Sequence, residues 1–453
     1  MSAPRTLTFF GGAATATGSM ILLEAAGAQV LLDAGLFQGN LAQAEAKNRD
    51  LPLNPEKIDA ILLSQAGLAY AGRVPQLLRH GYTGPIYSTL GTHDVAAILL
   101  PEAALELERF HGESALYRLP DALNTLARFV GQPYQRVHHL RRNLTFAFHD
   151  AGHMLGSASI ELRTGEGGSH RIIYSACVSR PGSSLFPDPR TEPGEVDTLI
   201  IGSPFAHAAH PMFSDAQQHL AVIIAGVVAR GGQLIVPAAA LGPAQELIRT
   251  VQDLHHRGVI PEIPIFLDTP TPVSLATMMR LTPETLANPA RAYTSDNGPF
   301  DESLIVPVTT EAARDALDVR PGPAIIIAPS ETGDSGRSAH HIRRCLGDTR
   351  HTVMLISFQE EGSLGGMLLE EPDSVVVDGQ TIERHAAIEA MPAYSGYADG
   401  EEMRGWLRAL GGPIKRAFVV QGDDLSVAMM VTILREEGVR DVIVPRRGES
   451  FPF

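Results

Sequence analysis

The chain has 453 residues, of which 44% are hydrophobic and 19% are charged, and this composition favours a globular protein of two or three domains. A formal net charge of −15 argues against sequence-independent binding of nucleic acid over the whole surface, although it leaves room for one basic groove. With only two cysteines, a disulfide framework and a cysteine zinc cluster are both excluded. Because the sequence shows neither a signal peptide nor a run of 18 apolar residues, we expect a cytoplasmic protein without membrane contact.

The first part of the chain, from Leu7 to Ile201, alternates short strands with helices. Residues 19–35 and 58–65 are apolar runs rich in strand-forming residues, and glycine or polar turns bound them. This pattern is typical of strands. Residues 74–81 and 92–110 have the apolar spacing of helices. This alternation predicts an α/β architecture.

In the second part, from His207 to Glu371, strand and helix patterns alternate more regularly. Residues 214–232 form an amphipathic segment that ends in a Gly-Gly helix stop, and a strand pattern follows. Residues 263–268, 323–330 and 351–357 are apolar and mostly β-branched, which is typical of buried parallel strands. The pattern predicts a doubly wound domain. Strand and helix patterns then continue from Ser374 to Phe453.

One loop stands where α/β proteins commonly place their functional groups. The sequence SQAGLAYAGR, Ser64 to Arg73, follows a predicted buried strand and precedes a helix that begins at Val74. The loop contains no histidine, carboxylate or cysteine. The position is typical of a site, but the side chains usually required for catalysis are missing from it.

Five motifs give the chain a family resemblance. They are Phe9 to Gly39, Asp150 to Leu162, Gly231 to Leu247, Ser357 to Gly366 and Tyr394 to Leu407. Through them the chain resembles the β-CASP branch of the metallo-β-lactamase superfamily, a group of zinc-dependent RNA-processing nucleases. The resemblance implies an αββα metallo-β-lactamase sandwich with an inserted doubly wound β-CASP domain. It places residues 1–205 and 375–453 in the sandwich and residues 206–374 in the insertion.

The resemblance also identifies the positions of the family's metal ligands. The family motif His-x-His-x-Asp-His corresponds to Gln65, Gly67, Ala69 and Tyr70. The next ligand is retained as His153. The bridging aspartate corresponds to Cys177 and the last histidine to Gln421. Because a stable zinc site generally needs three protein ligands, we expect the zinc site to be lost and the chain to hold no cofactor.

The family's acid-base residues are replaced as well. The acidic residue corresponds to Gly202, and the histidine corresponds to Tyr397, whose phenol has an ordinary pKa near 10 and is a poor general acid at neutral pH. We therefore expect no catalytic residue and a pseudoenzyme rather than an enzyme. Eight of these nine positions, all except Gly202, are called the family-site positions below: Gln65, Gly67, Ala69, Tyr70, His153, Cys177, Tyr397 and Gln421.

The resemblance suggests a partner role. Families of this kind pair an active nuclease with a degenerate paralogue, so the chain is interpreted as a scaffold or regulatory partner in RNA processing. We expect a homodimer, or a heterodimer with an active β-CASP ribonuclease.

Two alternatives remain open. The chain could be a stand-alone RNA-binding module that cradles a phosphate on Ser330, Ser335, Gly336 and Arg337, although Glu331 and Asp334 in the same loop would repel it. It could instead be a metal-free hydrolase that uses polar family-site positions, although no nucleophile-base pair is evident.

Overall fold

The computed structural model describes residues 5–39, 41–183, 185–238, 242–269, 286, 302–330, 332–334, 336–357, 359, 362–377 and 379–453. The chain forms two compact units. The first comprises residues 1–182, 186–209 and 397–453, and the second comprises residues 183–185 and 210–396. Each unit is described by itself below.

The first unit contains two seven-stranded sheets. The first sheet has the order β22-β1-β2-β3-β4-β5-β6. Its strands are β1 (Thr6–Gly11), β2 (Met20–Ala25), β3 (Ala28–Leu32), β4 (Ala60–Leu62), β5 (Ile86–Thr89), β6 (Phe129–Gln132) and β22 (Ser450–Pro452). Strands β1 to β3 are antiparallel, and β3 to β6 pair in parallel. The β2–β3 hairpin turns at Ala26 and Gly27, both with positive φ, as a tight hairpin turn requires.

The second sheet has the order β21-β20-β11-β10-β9-β8-β7. Its strands are β7 (His138–Arg141), β8 (Leu144–Asp150), β9 (Ala158–Thr164), β10 (His170–Ser175), β11 (Val196–Gly202), β20 (Ile414–Val420) and β21 (Asp441–Ile443). Leu7 and Phe9 of the first sheet share one buried core with Phe146 and Phe418 of the second. The two sheets therefore pack face to face.

Helices complete the first unit. They are α1 (Leu41–Arg49), α2 (Leu68–Ala71), α3 (Val74–Arg79), α4 (Leu90–His111), α5 (Leu119–Leu126), α11 (Gly400–Ala409) and α12 (Asp424–Glu436). Trp406 of α11 and Ile433 of α12 share a second core with Ile173 and Leu199 of the second sheet. Helix α4 contacts β5 and β6 of the first sheet. This layering is the αββα arrangement expected from the sequence.

The second unit is built on a six-stranded sheet of order β14-β13-β15-β12-β16-β19, in which every pairing is parallel. Its strands are β12 (Gln233–Pro237), β13 (Ile265–Asp268), β14 (Ile305–Val308), β15 (Ala324–Ala328), β16 (Thr352–Leu355) and β19 (Ala387–Ala390). A separate hairpin joins β17 (Ser374–Val377) to β18 (Gln380–Glu383). The described helices are α6 (Phe213–Arg230), α7 (Pro243–His256), α8 (Glu311–Asp318), α9 (Gly336–Cys345) and α10 (Leu364–Leu369).

The parallel strands of the second unit are buried, as their apolar, β-branched sequences predict. All five residues of β15 and all five of β12 are buried. Ile342 of α9 and Leu368 of α10 pack with Ile235 and Ile326 in one core. The doubly wound class expected from the sequence is therefore found. The boundary differs, because β17 to β19 lie in the second unit, which ends at Gly396 rather than at residue 374.

Among the described helices, none has the length and apolar character needed to cross a membrane.

Candidate functional site

The loop that follows β4 is held in place by backbone hydrogen bonds. Ala34 N–H donates to the Tyr70 carbonyl at 2.7 Å, and Ser19 N–H donates to the Ala69 carbonyl at 2.9 Å. Gly35 lies so close to this loop that a Cβ atom there would be 1.7 Å from the Ala69 carbonyl oxygen. The loop backbone is thus fixed by the chain segment that follows β3, and the short helix α2 forms within it.

Asp33 is buried next to this loop and accepts hydrogen bonds from several surrounding residues. It follows β3 with a φ of 58°, and its side chain is fully buried. The Ser64 amide and hydroxyl each donate to its carboxylate at 2.8 Å, and the hydroxyls of Tyr174 and Ser19 also donate to it. Burial raises the pKa of Asp33 to about 6, although these hydrogen bonds oppose the shift. Asp33 therefore joins β3, the loop and the second sheet of the same unit.

Three of the family-site positions meet in the first unit. The Tyr70 and Tyr397 hydroxyl oxygens are 3.0 Å apart, which is a hydrogen-bond distance. The His153 ring packs on the Tyr397 ring with centroids 4.3 Å apart. Tyr397 is held by a β-bridge to Ser179. The structure thus brings an imidazole and two phenols together beside the loop.

Gln65, Gly67 and Ala69 lie in the same loop. Gln65 is only 2% exposed, and its Nε2 has no hydrogen-bond partner among the described residues. A Cβ atom on Gly67 would lie 3.2 Å from Gln65 Oε1 and 3.4 Å from the Tyr70 ring, so these three residues are neighbours. Ala69 contributes its carbonyl to the backbone bond from Ser19 rather than a side-chain donor.

Cys177 and Gln421 are buried separately. Cys177 is 4% exposed, and burial raises the pKa of its thiol well above the ordinary value, which opposes formation of the thiolate that binds metals. Gln421 is 1% exposed, and its backbone N–H donates to the Gly12 carbonyl at 2.7 Å. A Cβ atom on Gly202 would lie 2.6 Å from Gln421 Oε1, so the small residue at 202 makes room for the glutamine.

The family-site positions do not fit a zinc pair. Gly67 and Ala69 have no donor atom on their side chains, and the unpartnered Gln65 Nε2 is a hydrogen-bond donor, which opposes a cation. His153 and Cys177 are the usual zinc ligands in this set, and three protein ligands are generally required. The arrangement instead offers hydrogen-bond donors and one imidazole to a polar ligand.

Sequence reasoning did not single out Asp150 as a titrating group. It ends β8, three residues before His153, and is 7% exposed. Burial raises its pKa to about 7, although the Gly152 amide donates to the carboxylate at 2.8 Å. A carboxyl group that titrates near neutrality close to His153 in the chain is a candidate proton carrier. The signal in the sequence that could have identified Asp150 is its place as a carboxylate at the end of an apolar strand.

The proposed phosphate-binding residues lie in the second unit, but Arg337 is engaged. Its guanidinium donates to Asp268 and, at 3.0 Å, to the Val308 carbonyl. Gly336 begins α9, and Ser330 has a φ of 78°. Ser335 lies outside the described residues. Because Arg337 already has an acidic partner, its charge is largely neutralised for a phosphate.

A second group of metal-type ligands lies in the same unit. Asp318, His340 and His341 offer ligand atoms that all lie within 4.8 Å of one another. Asp318 ends α8, and both histidines lie on α9. Sequence reasoning missed this group because its two segments are distant in the chain. Adjacent histidines at 340 and 341 were the only visible signal.

Comparisons with known proteins identify two domains. Residues 22–180 match the metallo-β-lactamase superfamily domain, and residues 244–368 match the Beta-Casp domain. The chain is 30% identical over 447 residues to a protein of Thermus thermophilus named "Ribonuclease TTHA0252", with 98% of this chain and 99% of that protein covered. It is 26% identical over 431 residues to "Transcription termination factor FttA" of Methanosarcina mazei, with 92% of this chain and 67% of that protein covered.

A solved structure shares the fold. The crystal structure of a protein of unknown function from Enterococcus faecalis V583 superposes with a TM-score of 0.52 at 15% identity, covering 99% of this chain and all of that one. At this identity the likeness concerns the fold alone.

Two expectations from the sequence are wrong. The chain was expected not to be an enzyme, but its relatives carry the names of a ribonuclease and of termination factors, and these point to an enzyme. It was also expected to hold no metal cofactor. The match to the metallo-β-lactamase domain and the Asp318, His340 and His341 group overturn that expectation for the chain as a whole. Both errors came from judging the whole chain by the family-site positions and Gly202.

Proposed function

Because the chain belongs to the β-CASP branch of the metallo-β-lactamase superfamily, we propose that it acts on RNA in RNA processing, in an assembly with a second β-CASP chain. The observation that supports action on RNA is the correspondence with a named ribonuclease along 98% of this chain. A match of this extent includes both units, so it covers the fold on which the relative's activity rests.

The arrangement of the first unit supports the assembly. The backbone frame of the loop is intact, since Asp33 and Gly35 hold it through hydrogen bonds to Ser64 and Ser19. The family-site positions on that frame do not fit a zinc pair. An active β-CASP paralogue would supply a two-metal centre in such an assembly, and this chain would act on the RNA beside it.

The charge of the chain favours a protein partner. At −15, the chain attracts a partner with a basic surface more readily than it coats RNA unaided. Such attraction weakens with salt, because ions screen exposed charges beyond roughly 8 to 10 Å. We therefore expect association with the second chain to be strongest at low ionic strength.

Metal-independent hydrolysis is the second candidate, favoured by the grouping of Tyr70, His153 and Tyr397. The imidazole can take up a proton, and the phenol hydroxyls can donate hydrogen bonds to a phosphate oxygen. RNA carries its own 2′-hydroxyl nucleophile, which loses its proton as it attacks phosphorus. The P–O5′ bond breaks, the 5′-oxygen leaves with a proton, and water then opens the 2′,3′-cyclic phosphate, so the cleavage step does not need a nucleophile from the protein. The residues would bind and orient the phosphate and move one proton.

The experiment uses a fluorescently labelled RNA. The chain alone, a β-CASP nuclease from the same source, and their mixture are each assayed for RNA binding and cleavage, with and without a chelator. The proposal expects the mixture to cleave at a different rate or site from the nuclease alone. Cleavage by this chain alone that survives chelation and is lost in His153→Gln supports the second candidate. No RNA binding and no effect on the nuclease would contradict both.

A further inference from the structure

His341 lies in the second unit with its two ring nitrogens in different surroundings. It is fully buried on α9. Its Nε2 is 2.8 Å from Asp268 Oδ2 at the end of β13. Its Nδ1 is 3.8 Å from Asp318 Oδ1 at the end of α8. Neither Nδ1 nor this Asp318 oxygen has a hydrogen-bond partner among the described residues.

The contact with Asp268 fixes which nitrogen carries the proton. A carboxylate accepts only, so Nε2 must donate to it, and a neutral imidazole then has a lone pair on Nδ1. Asp268 is held as the acceptor by Arg337, which donates to its other oxygen. Metal-binding histidines commonly donate their second ring N–H to a carboxylate in this way. The lone pair of His341 therefore faces Asp318 with no proton between the two atoms.

His340 completes the group. Its Nε2 lies 2.7 Å from Asp318 Oδ2 and donates to this oxygen, so binding of an ion by Nε2 would release this proton to solvent. The side chain is 26% exposed, so an ion can reach the group from solvent. Two acceptors that face each other in a buried place are unfavourable unless a cation or a proton lies between them. We propose that His341 Nδ1, His340 and Asp318 bind a divalent transition-metal ion of the zinc class.

The distances suit such an ion. Ligand atoms at about 2.0 to 2.1 Å from a tetrahedral zinc ion lie about 3.3 Å apart. The separation of 3.8 Å between His341 Nδ1 and Asp318 Oδ1 is within a small side-chain adjustment of that value. Two imidazoles and one carboxylate are ligands that zinc accepts, and three protein ligands leave a fourth position for water.

Arg344 lowers the affinity of this ligand group for a metal ion. Its Nε lies 3.2 Å from Asp318 Oδ1, although without hydrogen-bond geometry, and its Nη1 donates to the Asp318 carbonyl at 3.2 Å. Asp268 and Asp318 carry two negative charges against the two positive charges of Arg337 and Arg344. The ion must therefore compete with a neighbouring guanidinium. Removing that charge should strengthen metal binding, an effect that a purely structural cluster would not show.

The test is independent of the proposed function, because it measures metal binding without RNA. The full chain is dialysed against a chelator, reloaded with Zn²⁺, desalted and analysed for metal content, and Co²⁺ absorption reports the ligand set. His340→Gln and Asp318→Asn remove ligands from partly exposed positions. His385→Gln is the matched control, since this histidine belongs to the same unit and is 51% exposed. Melting curves without metal establish that each variant is folded.

We expect about one zinc ion per chain, and a rise in melting temperature when zinc is added. His340→Gln and Asp318→Asn should weaken binding at least tenfold, His385→Gln should not change it, and Arg344→Gln should tighten it. Asp268→Asn should weaken binding by about 10- to 100-fold, the usual effect of losing an outer partner of a ligating histidine. A wild-type chain that retains no zinc, or zinc binding unaffected by both ligand variants, would overturn the proposal.

Discussion

The hydroxyl oxygens of Tyr70 and Tyr397 lie 3.0 Å apart although 327 residues separate them in the chain. This contact joins the loop after β4 to the segment before α11, and the His153 ring packs against the same tyrosine. Both tyrosines stand at family-site positions, so the first unit keeps these positions together while their side chains differ from metal ligands.

Removing one of these hydroxyls should cost a measurable part of the stability. Tyr397→Phe should lower the free energy of unfolding by about 0.5 to 1.5 kcal/mol, the net contribution of one hydrogen bond. Tyr87→Phe is the control, because its ring packs on Phe146 and no hydrogen bond of its hydroxyl is found among the described residues. Urea unfolding measures both. Equal losses in the two variants would show that the Tyr70 contact does not stabilise the unit.

Gly35 should be intolerant of a side chain. Gly35→Ala places Cβ 1.7 Å from the Ala69 carbonyl oxygen, so the loop must move, at a cost of about 1 to 3 kcal/mol or more. Gly405→Ala is the matched control: it lies on α11, and its Cβ would meet nothing within 4 Å. That change should stabilise the chain by about 0.5 to 1 kcal/mol. Thermal and urea unfolding of both variants compare the two. If Gly35→Ala leaves the free energy of unfolding unchanged, the close approach of residue 35 to the Ala69 carbonyl does not constrain the loop.

The buried carboxyl of Asp33 should make stability depend on pH. Its pKa is raised from 3.8 to about 6 in the folded chain, mainly by burial. Between about pH 4 and 6 the folded state therefore holds a proton that the unfolded state has released. The contribution of Asp33 to the free energy of unfolding is therefore greatest below about pH 4 and falls as the pH rises through about 6, by on the order of 2 to 3 kcal/mol.

Asp33→Asn isolates this effect, because asparagine also tolerates the positive φ at this position. Subtracting its unfolding free energy from that of the wild type at each pH cancels the contributions of other groups. The difference should decline from pH 4 to 6 and then level off. A difference that does not change with pH would show that Asp33 titrates normally.

A buried ion pair should be sensitive to loss of one partner. Glu161 accepts from Arg171 at 2.7 Å, and the two side chains are 9% and 5% exposed. Glu161→Ala leaves the arginine charge buried without its carboxylate and should cost about 3 to 5 kcal/mol. The exposed pair of Glu45 and Arg49 provides the control, since Glu45→Ala should leave the free energy of unfolding nearly unchanged. Chemical denaturation separates these values, and similar losses would contradict the difference in burial.

Local patterns predicted much of the fold. A helix predicted over residues 92–110 is found as Leu90–His111, where Thr89 caps the first turn by accepting from the Thr92 amide. The apolar run before residue 268 forms β13 of a parallel sheet. These elements depend on periodicity and on caps close by in the chain, so the sequence contains their signals.

The contacts that define the sites depend on distant segments and could not be read from the sequence. Asp33 meets Tyr174, 141 residues away, and His341 meets Asp268, 73 residues away. The ligand group on α8 and α9 depends on the packing of two helices that lie in separate parts of the sequence. Reasoning from the family-site positions and Gly202 alone therefore led to two wrong conclusions, about the metal and about the enzyme.

The central claim is action on RNA in an assembly with a second β-CASP chain. Size-exclusion chromatography with light scattering tests it most directly, on the chain alone, with a β-CASP nuclease from the same source, and with labelled RNA added to each. We predict a mass of at least two chains in one of these samples, with RNA in the same peak and a mass that falls at high salt. If this chain elutes at its monomer mass of 48.5 kDa in every sample, and RNA elutes separately from it, the claim is contradicted.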